Sequence, residues 1–377
     1  MTHSPGFLLT ILAFALVIGP LIFLHEMGHY LAGRVFGVKI DAFSIGFGQE
    51  VFGVTDKRGT RWKFSWLPLG GYVKFAGDMN AASQPGEDWL MLPPEERART
   101  LQARPVWQRA IVVAAGPVTN FIVAILILAG FAMAYGVDAT PSVIGVVEPK
   151  SAAAVAGLQP GDRITSLGGR DVSTFSDLAQ FTALRPDERV AIRFERDGQP
   201  LSRDVTIGAL VQRDAFGNEF RRGMLGIAAS KPVLRPVGVL EAPFAGVRMT
   251  GEILRGTLDG LGQILTGRRS VDELGGPLRI AKVSGEQLSL GAPALIWMIA
   301  VISINLGFIN LLPVPVLDGG HLFFYAIEAV RRRPVPVQVQ EWAFRGGLAA
   351  MLALMLMVTF NDLGSFGLWK NLAGLIG

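Results

Sequence analysis

The sequence predicts a polytopic α-helical membrane protein with about four transmembrane helices, a β-sheet in the first loop and a small inserted α+β domain. Half of its 377 residues are hydrophobic and 18% are charged, whereas an ordinary soluble domain carries about 25% charged residues. The mean hydropathy is positive, at +0.40. Four apolar stretches are long enough to cross about 30 Å of hydrocarbon. They are residues 7–24, 111–135, 293–317 and, with its flanks, 347–360.

The first apolar stretch is expected to be a retained transmembrane helix, assigned to residues 1–36. Residues 1–6 lack the positive charge that begins a signal peptide. Residues 7–24 contain no Lys, Arg, Asp or Glu and lead directly into a polar motif, His25-Glu26-Met27-Gly28-His29. The sequence therefore places charged and metal-binding groups at the end of a membrane span, where burying a charge in hydrocarbon is energetically unfavourable.

This motif predicts a zinc centre. In a helix, His25 and His29 lie four residues apart on one face and can share a Zn²⁺, while Glu26 can act as general base toward a water that the metal activates. The chain has no Cys, which excludes disulfides and thiol catalysis and leaves His, Asp and Glu as metal ligands. A hydrolytic zinc site normally has a third protein ligand, which must come from elsewhere in the chain.

Residues 37–106 are expected to form a β-hairpin between the first two spans. Two segments rich in Phe, Val, Trp and Tyr, residues 41–54 and 61–75, flank a turn at residues 55–59. Their many aromatic residues suit a sheet that dips into the membrane, where backbone must be covered by protein or line a cavity. A peripheral hairpin explains the composition equally well.

The second span, residues 107–136, precedes a segment of ordinary soluble composition, residues 137–230. Its alternating strand and helix patterns predict one small α+β domain. The turn at residues 157–162 and the glycine-bounded loop at residues 223–227 resemble elements of PDZ domains, the loop being similar to the one that binds a peptide carboxylate. Gly223, Leu225 and Gly226 are therefore candidate peptide-binding residues. A soluble domain of another kind is the alternative.

Residues 231–290 contain apolar residues at helical spacing, interrupted by glycines and charges. They predict an amphipathic helix on the outer membrane surface. Packing of this helix against the α+β domain is the alternative.

The third span, residues 291–330, contains the best candidate for the missing ligand. Asp318 follows a segment of prolines and precedes two glycines, which break the helix and let a carboxylate face an interior cavity. His321, three residues later, is the rival ligand, with hydrogen bonding as its alternative role. Residues 331–377 hold a basic loop and the fourth span.

Basic residues indicate the orientation of the spans. They concentrate after the first span and between the third and fourth, which places those loops in the cytoplasm. They are Arg34, Lys39, Lys57, Arg58, Arg61, Lys63, Lys74, Arg331, Arg332 and Arg333. Both termini and the inserted domain then face outward, and the histidine motif lies toward the cytoplasmic side. No basic stripe is interleaved with aromatics, so nucleic acid is not an expected partner.

Taken together, these motifs resemble the site-2 protease family of intramembrane zinc metalloproteases. HEMGH in the first span and NLLPVPVLDGGH at residues 310–321 carry the resemblance. GPVTNF at residues 116–121 and GGYVK at residues 70–74 are similar to the bacterial RseP-type branch, the regulator of sigma-E proteases. With the PDZ-like domain, the resemblance covers nearly the whole chain. Enterobacterial members carry two PDZ domains in tandem, whereas one is expected here, which leaves open how substrates are screened.

The resemblance implies one Zn²⁺ per chain, with His25, His29 and Asp318 as ligands and Glu26 as catalytic base. It also implies the membrane-dipping form of the first-loop sheet.

Two further groups of residues are expected to bind substrate. Asn120 or Asn310 would supply an amide N–H to the oxyanion or hold the substrate backbone, with helix packing as the alternative for each. The sheet edge near Gly70, Gly71 and Tyr72 would pair with a locally unwound substrate strand.

The resemblance further implies substrates and a location. Substrates would be single-pass membrane proteins, including an anti-sigma factor and remnant signal peptides, cut after an upstream site-1 protease has removed the outer domain. The enzyme would lie in the lipid bilayer of a bacterial inner membrane, with its PDZ domain in the periplasm as a size filter or a receptor for a new C-terminus.

Two other functions are alternatives to proteolysis. A zinc transporter or metal-sensing membrane protein also uses intramembrane His and Asp. However, transport needs no general base between the histidines, and neither inverted repeats nor a file of further acids occurs in the spans. A catalytically inactive PDZ scaffold would not need Glu26 together with the three ligands.

Overall fold

A computed structural model describes residues 6–78, 91–213, 219–268, 271 and 275–365. The chain divides into two compact units. Residues 1–127 with 275–362 form the membrane unit, and residues 128–274 with 363–377 form the insert unit.

Helices and strands follow one another along the described residues. The helices are α1 (Phe7–Val35), α2 (Pro94–Arg97), α3 (Val106–Tyr135), α4 (Ala152–Val155), α5 (Phe175–Ala183), α6 (Ala242–Leu265), α7 (Pro277–Leu290), α8 (Ala292–Leu311), α9 (Asp318–Arg331) and α10 (Val337–Ser365). The strands are β1 (Ile40–Thr55), β2 (Arg61–Phe75), β3 (Val137–Asp138), β4 (Ile144–Val147), β5 (Arg163–Leu167), β6 (Arg170–Asp171), β7 (Arg189–Arg196), β8 (Gln199–Thr206), β9 (Gly208–Arg213), β10 (Glu219–Met224), β11 (Ile227–Ala229) and β12 (Leu234–Arg235).

Within the described residues, four helices are long and apolar enough to cross a membrane, namely α1, α3, α8 and α10, in agreement with the predicted number of spans. The third span is shorter than predicted, because α8 ends at Leu311 and α9 begins only at Asp318. Pro313 and Pro315 lie in this gap. They lack a backbone N–H and disfavour helical geometry in the residue before them, so the helix ends. The fourth span begins at Val337 rather than near residue 347.

The predicted hairpin between the first two spans is a longer and more bent sheet than expected. Residues 42–45 of β1 pair with residues 61–64 of β2 on one side and with residues 71–74 on the other. Residues 50–55 pair with residues 61–65 as well. Among the described residues no other strand pairs with residues 71–75, so this segment forms an edge of the sheet.

This sheet has one buried face and one exposed apolar region. Tyr30 of α1 packs into the buried cluster with Phe43, Val73 and Phe75. Beyond the bend, large apolar side chains are exposed: Val51, Phe52, Val54, Phe64 and Trp66. Their exposure favours a sheet that dips into the membrane over a peripheral one, because lipid rather than water then surrounds these side chains.

The insert unit contains the predicted α+β domain. A four-stranded antiparallel sheet has the order β6-β5-β7-β8. Alternate residues Val190, Ile192 and Phe194 of β7 are buried, as expected of a strand with one face on a core. α5 begins with a capping box in which Thr174 and Asp177 exchange hydrogen bonds with the backbone, and its Leu178 enters the same core.

The amphipathic segment 231–290 contains two helices, α6 and α7. The second half of α6 contacts the α+β domain: Asp259 accepts hydrogen bonds from Arg170 at 2.7 and 2.9 Å and from Arg185 at 3.3 Å. The first turns of α6 pack Ala242 and Ala245 onto the last turns of α3. Of the two predicted locations for this segment, packing against the α+β domain is therefore observed for α6.

The other side of α6 remains apolar and exposed at its beginning. Phe244 in its first turn is 76% exposed, and Leu240, which precedes the helix, is 89% exposed. This is the pattern of a helix that lies at a membrane surface.

Candidate metal centre

Helical spacing on α1 brings the two histidines of the first span together. His25 and His29 are buried, and their Nε2 atoms are 3.2 Å apart. Their rings meet edge to face, with centroids separated by 4.9 Å. Helical spacing therefore brings the two Nε2 atoms to within reach of one shared metal ion in an apolar helix.

The first residue of α9 supplies a third donor. Oδ2 of Asp318 lies 3.2 Å from Nε2 of His25, and Oδ1 lies 3.5 Å from Nε2 of His29. His25, His29 and Asp318 are the group of possible metal ligands found in the described part of the chain. The structure thus brings together the three residues that the sequence predicted as ligands.

The turn between α8 and α9 delivers Asp318 to the histidines. A Cβ on Gly319 would lie 2.2 Å from the carbonyl oxygen of Leu312, and one on Gly320 would lie 2.5 Å from that of Val314. Only glycine allows this close approach. Val316 has a φ of 88°, an unusual conformation for a β-branched residue, and such strain is typical of functional sites. The prolines and glycines of the motif therefore build the reversal that positions the carboxylate.

A partly buried ion pair holds α9 against the beginning of α3. Nη2 of Arg109 lies 2.5 Å from Oε1 of Glu328, and the Arg109 guanidinium lies over the ring of Tyr325 at 4.9 Å. Glu328 and Tyr325, the two residues that contact Arg109, lie on α9 about two to three turns after Asp318. This contact limits how far the third donor can move relative to α3.

The three donor atoms fit a zinc ion. Ligands at about 2.0–2.2 Å from a tetrahedral metal lie about 3.4 Å from one another. The two Nε2 atoms are 3.2 Å apart, and each lies 3.2 or 3.5 Å from the nearer oxygen of the Asp318 carboxylate. Two imidazoles and one carboxylate form a ligand set of catalytic zinc sites, with a fourth position left for water or substrate. A Cβ on Gly116 would lie 2.2 Å from Nε2 of His29, so any side chain there would enter the space of the ion.

α3 also contacts the outer nitrogens of both imidazoles. Nδ1 of His29 donates to the carbonyl oxygen of Val112 at 2.9 Å. Nδ2 of Asn120 lies 3.0 Å from Nδ1 of His25. Hydrogen bonds at this position orient a metal-binding histidine and select the ring nitrogen that carries the proton.

The edge of the first-loop sheet lies against the proposed general base. Glu26 is buried in α1, and a Cβ on Gly71 would lie 3.0 Å from its Cγ and 2.8 Å from Cγ2 of Ile22. The backbone N–H of Val73 faces the Glu26 carboxylate. Glycine at position 71 therefore allows the strand edge to approach α1.

Neighbouring residues shape this edge. A Cβ on Gly70 would lie 2.3 Å from the ring of Phe47, so glycine is required there as well. The Tyr72 ring stacks on Phe47 with a centroid separation of 6.0 Å, and Nζ of Lys63 lies over it at 5.2 Å. The three predicted edge residues are therefore together at one bend of β2.

The remaining predicted residues of the membrane unit have different surroundings. Asn120 is fully buried against His25, which favours a role toward the ligand over direct contact with substrate. Asn310 is half-buried in the last turn of α8. His321 packs against Phe344 at a centroid distance of 4.9 Å and lies outside the donor group, so Asp318 and not its rival supplies the third donor.

A second candidate site lies in the insert unit. A groove of about 260 Å³ is lined by the predicted loop residues Gly223, Leu225 and Gly226, together with residues of α5. Gly226 has a φ of 72°, and a Cβ there would lie 2.3 Å from Ser151. The α5 residues that line the groove are Phe175, Leu178, Ala179 and Thr182.

Two carboxylates of the insert unit are held by arginines. Burial raises the pKa of Asp162, but hydrogen bonds from Arg196 and from the Gln159 backbone outweigh it and hold that pKa below its ordinary value. Hydrogen bonds from Arg170, and then from Arg185, hold the pKa of Asp259 below its ordinary value despite partial burial. Both arginine contacts therefore favour the ionised form of the carboxylate that they bind.

Sequence reasoning missed several contacts of these sites. The Val112 carbonyl is a backbone atom, and no side-chain pattern signals it. The α5 residues of the groove carry helical periodicity that indicates only burial. Gly116 and Asn120 stand in a motif that the sequence analysis quoted, four residues apart on one helical face, and this spacing is the signal that could have linked both to the histidines.

Comparison with known proteins gives one family across nearly the whole chain. Residues 13–354 match peptidase family M50. The chain is 47% identical over 360 residues to a protein of Agrobacterium fabrum whose name is that of a zinc metalloprotease, with 94% of this chain and 96% of that protein covered. It is 36% identical over 395 residues to metalloprotease MmpA of Caulobacter vibrioides, with 98% and 99% covered. Among solved structures, the PDZ domain of the SdrC-like protein of Listeria monocytogenes matches 24% of this chain and 87% of that domain, at 19% identity and a TM-score of 0.19.

Proposed function

This chain belongs to peptidase family M50 and is a membrane zinc metalloprotease, and we propose that it cuts peptide bonds within the transmembrane segments of single-pass membrane proteins. The observation that carries this proposal is the convergence of His25, His29 and Asp318 inside an apolar membrane-spanning helix bundle. Peptide bonds of a soluble substrate do not enter hydrocarbon, whereas a transmembrane segment is already at this depth.

In the proposed reaction, His25, His29 and Asp318 hold the metal and the Glu26 carboxylate accepts the proton of the attacking water. Bound zinc supplies the Lewis acid that activates this water and polarises the peptide carbonyl. Glu26 is one residue from His25 in α1, and the close packing of Gly71 limits the movement of its side chain. The same carboxylate can later return the proton to the leaving amine.

Substrate is proposed to pair with the edge formed by residues 71–75. A helical substrate hides its amides in its own hydrogen bonds, so a free strand edge beside Glu26 would stabilise the unwound form by strand addition. The proximity of Gly71 to Glu26 and the absence of another paired strand on this edge, within the described residues, support this proposal. Gly70 and Tyr72 would shape the entry to the edge.

Asn310 is the better candidate of the two asparagines for contact with the substrate backbone or the oxyanion. It is half-buried and one turn before the reversal that leads to Asp318, whereas Asn120 is fully buried. Its amide N–H would stabilise the developing negative charge.

The proposed biological setting is regulated intramembrane proteolysis in a bacterial inner membrane. Anti-sigma factor-like proteins and remnant signal peptides would be cut after an upstream site-1 protease has removed their outer part. The basic loops support an orientation with both termini and the insert unit outside and the metal centre toward the cytoplasm. The groove along α5 would bind a newly exposed C-terminus, or the insert unit would exclude bulky substrates.

A zinc transporter or metal-sensing membrane protein remains the alternative function, and the arrangement of ligands argues against it. An ion path needs a series of polar sites across the membrane. Within the described ranges, the groups that could hold a metal form a single cluster. A single enclosed site beside a buried glutamate suits catalysis.

Replacing the general base tests the proposal. In proteoliposomes that contain a tagged single-pass substrate, we expect Glu26→Gln to lower the cleavage rate by about 10²–10⁴-fold, because a general base contributes that much. Glu341→Gln, which changes an acid paired with Arg345 on α10, is the matched control and should cleave at the wild-type rate. Wild-type cleavage by Glu26→Gln would disprove the mechanism, and zinc uptake without cleavage would favour the transporter.

A further inference from the structure

Each metal-binding histidine has a second ring nitrogen, and α3 contacts both of these nitrogens. Val112 accepts a hydrogen bond from Nδ1 of His29 at 2.9 Å, and the amide of Asn120 lies 3.0 Å from Nδ1 of His25. Val112 and Asn120 are eight residues apart, a little over two helical turns, and so lie on one face of α3. A helix that contributes no ligand therefore contacts the outer side of both imidazoles.

The proton on each imidazole determines what these contacts must be. A neutral histidine that binds a metal through Nε2 carries its proton on Nδ1 and needs an acceptor there. The carbonyl oxygen of Val112 is such an acceptor for His29. For His25 the contacting residue is Asn120, whose side chain offers both an acceptor oxygen and a donor nitrogen.

The acceptor oxygen of Asn120 is free to take this proton. Oδ1 of Asn120 is buried and has no hydrogen-bond partner among the described residues. A half-turn of the amide exchanges Oδ1 and Nδ2 with almost no change in shape. With the oxygen toward the ring, Nδ1–H of His25 donates to Asn120, and Nε2 presents its lone pair to the ion.

We infer that Asn120 is a positioning residue of the zinc centre, which accepts the Nδ1 proton of His25 through its side-chain oxygen and thereby holds Nε2 toward the metal. This inference rests on the proposed ligand set of His25, His29 and Asp318. It assigns Asn120 a role through His25, since a fully buried side chain does not contact substrate.

The third span holds Asn120 in place. Oγ of Ser303 on α8 donates to the backbone oxygen of Asn120 at 2.8 Å. A Cβ on Gly307, one turn further along α8, would lie 3.1 Å from the Pro117 carbonyl oxygen and 3.3 Å from Cβ of Asn120. Because α8 leads into the turn that carries Asp318, the same helix contact constrains a ligand of the first span and the ligand of the third.

This assignment explains the motif that begins the second span. Gly116 leaves space for the ion, because a Cβ there would lie 2.2 Å from Nε2 of His29, while Asn120 on the same helical face orients His25. Glycine and asparagine at this spacing therefore serve one metal centre from a helix without a ligand.

Zinc affinity of the full-length protein in detergent micelles tests the inference without reference to proteolysis. The metal is removed with a chelator and Zn²⁺ is titrated in competition with a chromophoric chelator. We expect Asn120→Leu, which keeps the volume but removes the acceptor, to weaken zinc binding by about 10–100-fold, as loss of such a partner typically does. Asn120→Asp restores an acceptor and should bind zinc within about threefold of wild type or more tightly.

A neighbouring residue provides the matched control. Thr119→Val keeps the side-chain shape and removes a hydroxyl that donates to the Ala115 carbonyl oxygen at 2.8 Å. Its zinc affinity should remain within about twofold of wild type, because the lost bond lies within the helix. Thermal unfolding of the metal-free variants checks that Asn120→Leu is folded, and a misfolded Leu variant is replaced by Asn120→Ala.

Cobalt substitution adds a spectroscopic readout of the ligand geometry. The visible absorption of bound Co²⁺ should shift in Asn120→Leu and return toward wild type in Asn120→Asp, which a purely structural role of the residue would not produce. Equal zinc affinity of Asn120→Leu and wild type overturns the inference while the ligand set stands. Equal affinity of His25→Ala and wild type overturns the ligand set itself, and with it the inference.

Discussion

The membrane unit holds a half-buried carboxylate and the insert unit a fully buried one, and the two have different partners. Asp162 of the insert unit is 1% exposed and accepts hydrogen bonds from Arg196 at 2.7 and 2.8 Å and from the Gln159 backbone at 2.8 Å. The Asp318 carboxylate instead lies 3.2 Å from Nε2 of His25 and 3.5 Å from Nε2 of His29. A buried charge needs a partner. Asp162 has its partner in the protein, whereas Asp318 belongs, with His25 and His29, to a group of side chains that could hold a metal ion.

The same contrast distinguishes a structural group from a functional one. The Arg196 guanidinium donates a hydrogen bond to each oxygen of Asp162, so the charge of this carboxylate is already balanced without a bound ligand. Around Asp318, three donor atoms converge and α3 leaves a space where Gly116 lacks a side chain. A buried acid whose neighbours are also donors of lone pairs therefore indicates a metal site, and one enclosed by a guanidinium does not.

The largest expected effect follows from neutralising Asp318. Asp318→Asn keeps the size of the side chain but removes the anionic ligand, so zinc affinity should fall by on the order of 10³-fold. This loss corresponds to about 4 kcal/mol, roughly a third of the binding free energy of a typical structural zinc site. Chelator competition in micelles measures the change. Asp162→Asn is the matched substitution in the other unit and should leave zinc affinity at the wild-type value. If Asp318→Asn and Asp162→Asn bind zinc with the same affinity, Asp318 is not a zinc ligand.

An intermediate effect is expected from removing the partner of Asp162. Arg196→Ala leaves a buried carboxylate without its counter-ion, which should destabilise the insert unit by about 3 kcal/mol at neutral pH. Hydrogen exchange of peptides from β5 and β7, corrected for the intrinsic exchange rate, gives the free energy of opening. Zinc affinity should not change.

The pH dependence of this variant should have the opposite sign from wild type. In wild type the pKa of Asp162 is lowered, so the stabilisation is complete above about pH 4 and is lost as the pH falls through the lowered pKa. Without Arg196, burial raises the pKa, so the insert unit should gain stability as the pH falls from neutral toward about 4. A variant that loses stability with acid in parallel with wild type would contradict this account.

The smallest effect on catalysis is expected from blocking the groove of the insert unit. Ala179→Trp places a large ring in the cavity beside Leu178, and binding of an extended C-terminal peptide, followed by fluorescence anisotropy, should fall by about tenfold or more. Cleavage of a short substrate without an outer domain should change by less than about threefold, since no metal ligand is touched. Val155→Trp, at an exposed position that does not line the groove, is the control. If Val155→Trp lost as much peptide affinity as Ala179→Trp, the groove would not be the peptide-binding site.

Much of the candidate site could be predicted from the chain because its parts are local in sequence. His25 and His29 are one helical turn apart, so their meeting needs only a helix. The proline and glycine signals around Asp318 predicted a broken span, although the helix ends earlier than the apolar stretch. The strands at residues 41–54 and 61–75 were found from their composition, and the structure extends the first by one residue at each end.

Other features depend on contacts between distant parts of the chain. The pairing of residues 42–45 with two separate stretches of β2 arises from bends that composition does not report. The approach of Gly71 to Glu26 joins residues 45 positions apart, and that of Asn120 to His25 joins residues 95 positions apart. Glycine and asparagine have many roles, so their identity alone does not show which of these contacts they make.

The amino-acid sequence predicts a zinc-binding pair of histidines with a general base in an apolar helix, and a carboxylate at a break in another helix. These follow from residue types and helical spacing, which are local properties. The three-dimensional structure was needed to show that Asp318 rather than His321 lies in the donor group and that α3 contacts the outer nitrogens of both imidazoles. It was also needed to show that a strand edge with no further partner among the described residues lies beside Glu26. Those outcomes depend on how closely helices and strands approach one another, and that is set by packing across the whole unit.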